Sequence, residues 1–307
     1  MCSSPPTSNA PTRPRIGVCL LPEDSWGEAA DKWRRIEDLG ADHGWTYDHL
    51  IWGGLPDSPW RSTFPFLTAA AMVTSTLRLG TFVASPNFRH PALLAKDLVT
   101  LDDISGGRAI LGLGAGGNTD ANLLGADHTR GERTRRFAEF VPLLDRLLTE
   151  DAVTHEGEFY SVQGARGRPA CVQQPRAPFV VAANGPRSMR LAARYGQGWV
   201  TTGPQTSPAP ELEEDPVAQR ERWWWGVEKY AAAMSEIETN TRPPGVPKLA
   251  RYLSLDAGGP PTLTSPTYAQ EQIARAGELG FTDVIIHWPR PDSPYRGTEA
   301  TLAAVFS

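Results

Sequence analysis

Between residues 15 and 305, short apolar runs alternate with stretches of helical spacing eight times over, and this alternation limits the possible folds more than any single motif does. The spacing predicts strands at 15–21, 44–49, 77–85, 108–114, 178–183, 198–202, 249–255 and 282–287. Helices are predicted at 29–39, 64–74, 90–104, 132–148, 188–195, 218–237, 268–279 and about 298–305. Eight strand–helix pairs in a row, with no repeat of fixed period, predict a single parallel, closed (β/α)8 barrel over 15–307. An open doubly wound sheet usually has fewer repeats, and 307 residues is an ordinary length for such a barrel. Two segments interrupt the alternation. Residues 154–175 read as a hairpin or long loop inserted between the fourth helix and the fifth strand. The proline-rich, acidic stretch 204–215 follows a strand and is a candidate lid.

Composition excludes several classes of partner. The formal net charge is −5 with both signs spread along the chain, so there is no basic stripe for a nucleic acid. No apolar run approaches the roughly 18 residues of a membrane span. Residues 1–14 are rich in Ser, Pro and Thr, lack the apolar segment of a secretory signal, and read as a flexible tail. Three cysteines, Cys2, Cys19 and Cys171, are too few and too scattered for a disulfide framework or a cysteine metal site, which points to a reducing cytoplasm and no metal.

In a barrel of this kind chemistry collects at the C-terminal ends of the strands. The second strand ends in Asp48-His49, where a histidine can exchange a proton near neutral pH, although a lone histidine there also packs as an ordinary polar residue. The third ends in Phe82-Val83-Ala84-Ser85, which on spacing alone is an ordinary loop. The fourth ends in Gly112-Leu113-Gly114-Ala115-Gly116-Gly117, whose glycines let backbone approach a flat ligand. The spacing is wrong for a dinucleotide-binding fingerprint, and 118–126 lacks the apolar stripe of the helix that fingerprint needs. The fifth ends in Asn184-Gly185-Pro186-Arg187-Ser188, where Pro suits the first helical turn, and this is either a plain helix start or one whose free N–H groups take a phosphate. The eighth ends in His287-Trp288. Trp223, Trp224 and Trp225 cannot all face one side of a helix, so at least one should be exposed, near a lid, or at a subunit contact.

Four blocks in order resemble one family. They are 34–50 (RRIEDLGADHGWTYDHL), 77–117 (LRLGTFVASPNFRHPALLAKDLVTLDDISGGRAILGLGAGG), 154–160 (THEGEFY) and 178–199 (PFVVAANGPRSMRLAARYGQGW). The family is that of the luciferase-like monooxygenases and the flavin- and deazaflavin-dependent oxidoreductases. The resemblance implies a reduced isoalloxazine cofactor in the barrel mouth. It also implies a non-proline cis peptide at Phe82-Val83 beneath the ring, and the cofactor phosphate at Gly185, Pro186, Arg187 and Ser188. Ser85, Gly114, Ala115, Gly116 and Asn184 complete the implied cofactor contacts. The glycine pattern after the fourth strand is similar to that of F420 users, with FMN as the alternative. In that branch Asp48 would lie near the cofactor and His49 would protonate or orient the substrate, with His287 second. Some sugar-phosphate dehydrogenases of the branch carry a Glu where this chain has Gly117, which puts a sugar-dehydrogenase reading in doubt.

Three functions follow as expectations. The first is F420-dependent hydride transfer to or from a small organic substrate. The second is an FMN-dependent monooxygenase served by a flavin reductase. The third is a noncatalytic flavin-binding protein on the same barrel. Relatives of this kind are often homodimers.

Overall fold

The computed structural model describes residues 13–205 and 215–307. Most of the segment 1–14 and most of 204–215 therefore lie outside the described residues, as does Cys2. Eight parallel strands close into a barrel. They are β1 (Arg15–Cys19), β2 (His43–Thr46), β3 (Arg78–Thr81), β4 (Ala109–Leu113), β7 (Phe179–Ala182), β8 (Gly198–Thr201), β9 (Ala250–Ser254) and β10 (Asp283–His287). Their spatial order is the chain order, and the ring closes where β10 pairs with β1, from Arg15 opposite Asp283 to Cys19 opposite His287. The helices around it are α1 (Trp26–Asp38), α2 (Thr63–Val73), α3 (Pro91–Ile104), α5 (Arg130–Thr149), α6 (Pro186–Tyr195), α7 (Pro216–Thr241), α8 (Pro266–Glu278) and α9 (Glu299–Val305). This is the predicted (β/α)8 barrel.

The strands read as continuous apolar runs because both of their faces are covered, and successive side chains alternate between them. Ile16 and Val18 of β1, Leu111 of β4 and Val181 of β7 point outward into one large core against the helices. Cys19, Trp45, Phe82, Ile110, Val180, Val200, Tyr252 and Ile285 point inward and fill the barrel. Cys19 and Cys171 are free and buried, and burial pushes both thiols up. Helix starts follow local chemistry. Glu28 accepts from the Ser25 backbone N–H at α1, and the Thr129 hydroxyl accepts from the Glu132 N–H at α5.

The insertion is an antiparallel hairpin, β5 (Ala152–Glu156) with β6 (Ser161–Arg166), lying between α5 and β7. The strands are shorter than the apolar runs predict. β2 stops at Thr46, beyond which Tyr47 O and Leu50 N take side-chain partners at the mouth, and β3 stops at Thr81, just before the cis Phe82-Val83 peptide. One element was not expected. A single helical turn, α4 (Thr119–Leu123), follows the glycines of β4. It has no apolar stripe to announce it, and only Asp120 and Ala121 are buried. It is held by the loop around it, where the Asn118 side chain accepts from the His128 N–H. Among the described residues no helix is long and apolar enough to cross a membrane.

Candidate active site

The barrel mouth is divided. One half holds a cavity of about 800 Å³, whose floor is Tyr47, Phe82, Gly114, Ala182 and Val200, from the ends of β2, β3, β4, β7 and β8. The starts of α5 and α6 form its outer wall. Of the residues singled out in the sequence, His49, Phe82, Val83, Ser85, Gly114, Ala115, Gly116, Asn184, Gly185, Pro186, Arg187 and Ser188 all line this cavity. Asp48 and His287 do not.

His49 is fixed by a partner that sequence reasoning missed. Asp120, buried on α4, accepts from the Leu50 N–H (2.7 Å) and lies 2.7 Å from His49 Nδ1. An ionised carboxylate can only accept, so Nδ1 carries the proton and Nε2 is left as the exchangeable nitrogen of a ring that edges the cavity. Asp48 sits one residue earlier and points the other way, as alternation along an extended chain requires. Both of its oxygens take the Arg89 guanidinium, at 2.6 and 2.9 Å, and it is 1% exposed. Arg89 lies between the rings of Phe64 and Phe88, 5.0 Å from each. Asp48 is thus a tie inside the wall and no part of the cavity surface.

The Phe82-Val83 peptide is cis. The Asn87 amide reaches from the β3 loop to the carbonyls of Ala115 (3.1 Å) and Gly117, pinning the glycine loop of β4 against it. Gly116 must be glycine. Its φ is +65°, and a Cβ there would stand 2.6–2.8 Å from Asn87 and Ser85. Asn184 is committed to the sheet, accepting from the Thr201 hydroxyl at 2.6 Å and donating to the Gly203 carbonyl at 3.1 Å.

At the outer wall α6 begins with Pro186, and no side chain caps it. Met189 is the first residue to bond back, to Gly185 O, so the Arg187 and Ser188 N–H groups point out of the helix start at the cavity edge. Arg130 and Arg133, at the start of α5, line the same end together with Arg187 and Arg190. Arg133 donates to the His128 carbonyl. Arg130, Arg187 and Arg190 have no carboxylate partner among the described residues. Gly117 and Gly185 line the cavity with open space where a Cβ would stand. A flat ring over β2–β4, with a phosphate at the start of α6, fits the residues present. Nothing in the sequence pattern marked the α5 arginines, because they open a helix and do not follow a strand end.

The other half of the mouth is filled. His287, 2% exposed, lies beneath Tyr295, with ring centroids 3.5 Å apart and planes 3° from parallel. Its Nδ1 is 3.0 Å from Asp256 Oδ2, which also accepts its backbone N–H at 2.8 Å. Its Nε2 is 2.8 Å from the Tyr47 hydroxyl, and that hydroxyl is 2.7 Å from the Tyr295 hydroxyl. His287 therefore meets the cavity lining through its hydrogen bond to Tyr47. Burial would raise the Asp256 carboxyl, but the hydrogen bonds from His287 outweigh it and hold the group below its usual range. Burial pushes the Tyr47 phenol well up. Asp256 lies just past β9 and Tyr295 in the loop after β10, where the sequence carried no signal for either.

Comparison with known proteins bears on the family and the fold. The chain is 30% identical to an F420-dependent glucose-6-phosphate dehydrogenase of Kineococcus radiotolerans, over 87% of this chain and 88% of that one. It is 31% identical to a 5,10-methylenetetrahydromethanopterin reductase of Archaeoglobus fulgidus, over 60% and 52%. The fold matches that of the coenzyme F420-dependent tetrahydromethanopterin reductase of Methanopyrus kandleri, with a TM-score of 0.71 at 18% identity over 96% of this chain and 97% of that one. The model of the luciferase-like monooxygenases matches residues 5–222, and the chain belongs to that family.

Proposed function

We propose that this protein is an F420-dependent oxidoreductase that transfers a hydride to or from a small organic substrate. The observation that carries the reading is the polarity of the cavity. One end is aromatic and apolar, with Trp52, Phe82 and Val83. The other has free helix N–H groups and, among the described residues, a set of arginines without carboxylate partners. A long amphiphilic cofactor with a planar ring, a phosphate and an anionic tail matches that gradient, and the names of the relatives point the same way.

A bound deazaflavin supplies or accepts the hydride. The chain does the rest. Ser85 and the Gly114-Ala115-Gly116 backbone set the depth of the ring, Arg187 and Ser188 hold its phosphate, and Trp52 and Phe82 exclude water from the reacting end. His49, with Asp120 holding its Nδ1 proton, is the acid/base group on the wall. Glucose 6-phosphate is not proposed as the substrate, because Gly117 offers no carboxylate where some sugar-phosphate dehydrogenases of the branch carry one. We place the enzyme in the cytoplasm as a homodimer, with an F420 or flavin reductase as the class of partner that recycles the cofactor.

The test is paired titration with F420 and FMN, oxidised and reduced, followed by quenching of tryptophan fluorescence. Tight F420 binding with FMN ignored is the expected result. Preference for reduced FMN, with oxygen uptake in the presence of a reductase, would replace this reading with that of a monooxygenase. Tight binding with no turnover of any substrate would favour a cofactor carrier.

A further inference from the structure

Tyr47 belongs to two structures at once. It lines the cavity, and its hydroxyl begins a chain of hydrogen bonds that runs through His287 to Asp256 in the filled half of the mouth. We propose that Tyr47 exchanges a proton with the substrate and that His287 and Asp256 form a buried relay behind it. This rests on the hydride-transfer reading above and adds a proton path separate from His49.

The direction of each bond follows from the inventory of donors. Asp256 is fully committed as an acceptor, taking the His287 backbone N–H at 2.8 Å, His287 Nδ1 at 3.0 Å and the Thr262 N–H at 2.9 Å. An ionised carboxylate has no proton to give, so His287 Nδ1 is the donor, and in the neutral ring Nε2 is left unprotonated. Tyr47 must then donate to Nε2 at 2.8 Å, and Tyr295 donates to Tyr47 at 2.7 Å. One lone pair on Tyr47 Oη remains for a third partner. The resting chain is thus set to take a proton from the cavity. Tyr47 is not a base by itself, since burial favours its neutral phenol. It can accept a proton only while passing its own to His287, where the adjacent buried carboxylate stabilises the imidazolium.

The substrate class follows. The reacting carbon carries a hydroxyl or carbonyl oxygen, and its neighbours are apolar enough to lie against Trp52 and Phe82. In the oxidising direction the substrate O–H proton passes to Tyr47 Oη as the Tyr47 proton passes to His287 Nε2. The C–H electron pair leaves as hydride to the oxidised deazaflavin, and the C=O bond forms. Reduction runs the same steps backward from the imidazolium. Tyr295 seals the relay. Its ring covers His287 face to face and is stacked at 5.9 Å with Trp52, and its backbone is held at φ 68°, an unusual conformation for a non-glycine residue. The other titratable or charged groups facing this chain are Cys19 from β1, His49 and Arg290, with Arg220 of α7 and Tyr268 of α8 on the Asp256 side.

The test begins without substrate, on the full chain labelled with nitrogen-15 histidine. His287 is expected as the neutral tautomer protonated at Nδ1, with an Nε2 resonance that moves in Tyr47→Phe and stays in Tyr295→Phe. A second arm adds para-nitrophenol, a hydroxyl compound that becomes yellow on losing its proton. Below the pH at which the free probe ionises, the bound probe should be yellow in the wild type and in Tyr295→Phe, and colourless in Tyr47→Phe and His287→Gln. F420 affinity should stay within about twofold in Tyr295→Phe and His287→Gln, whose side chains do not line the cavity. A His287 protonated at Nε2, an Nε2 resonance indifferent to Tyr47→Phe, or equal ionisation of the probe in Tyr47→Phe would overturn the relay. If the probe does not bind, the tautomer and its response to Tyr47→Phe decide alone. Loss of F420 binding by the wild type would defeat the hydride-transfer reading and leave the histidine result to stand or fall separately.

Discussion

His49 and His287 differ in what their ring nitrogens are free to do. Both are anchored at Nδ1 by a carboxylate, Asp120 and Asp256 respectively. His49 lines the cavity with its Nε2 unbonded among the described residues, while His287 gives Nε2 to Tyr47. His49→Ala should lower kcat by on the order of 10²-fold or more, the scale of a lost general acid or base, with the F420 dissociation constant unchanged. Stopped-flow rates beside a binding titration check this, and equal losses in both would count against the assignment. The Arg89–Asp48 pair predicts an effect on stability. Arg89→Ala strands a carboxylate that is 1% exposed, so urea unfolding should show a loss of about 3–5 kcal/mol. Arg89→Lys should recover only part of it, because a single ammonium cannot serve both oxygens in the plane.

At the scale of elements, α7 shows how much a local pattern can say. Three consecutive tryptophans span most of a helical turn, so at least one had to leave the core. Trp223 and Trp224 are buried, and Trp225 is 59% exposed with the Lys229 ammonium 3.4 Å over its ring. Trp223→Ala should cost about 3–5 kcal/mol and Trp225→Ala less than about 1 kcal/mol, read as midpoints of denaturant unfolding. The start of α6 was legible for the same reason. Pro186 and the polar residues around it are local chemistry, and they put the uncapped N–H groups where a strand-end rule says a ligand lies. The turn α4 was not legible. It has no apolar periodicity and exists because the loop around it closes, yet it carries the Asp120 that orients His49.

For the whole molecule, the barrel stores acid sensitivity in two buried carboxylates. Asp283 closes the bottom of the ring, bonded to Arg15 at 2.9 Å and to His43 at 3.1 Å. Burial alone would raise it, but His43 and Arg15 hold it below the usual carboxylate range. Asp256 is held down in the same way at the mouth. A carboxyl with a lowered folded-state pKa contributes stability above its unfolded value, which is lost as pH falls through the folded one. Unfolding free energy should therefore be nearly flat from neutral pH to about pH 5 and decline below about pH 4, where free carboxylates protonate. Asp283→Asn should lower stability at neutral pH and flatten the acid limb. Denaturant melts across that range measure both, and a limb as steep in the variant as in the wild type would remove Asp283 from the account.

The strand–helix alternation, the C-terminal rule for barrel sites and the family blocks were local or periodic, so the sequence alone determined the barrel, the inserted hairpin and most of the cavity wall. Which way each strand-end side chain faces depends on where the strand leaves the sheet. Only the tertiary structure could decide that Asp48 turns into the wall to meet Arg89, and that His287 is covered by Tyr295. The partners that define the site chemistry, Asp120 with His49 and Asp256 with His287 and Tyr47, are 71, 31 and more residues apart in the chain. Pairing along β2–β4 and of β9 with β10 brings the two carboxylates to their histidines, Tyr47 meets His287 once β10 has paired with β1, and no pattern along one segment encodes any of these contacts.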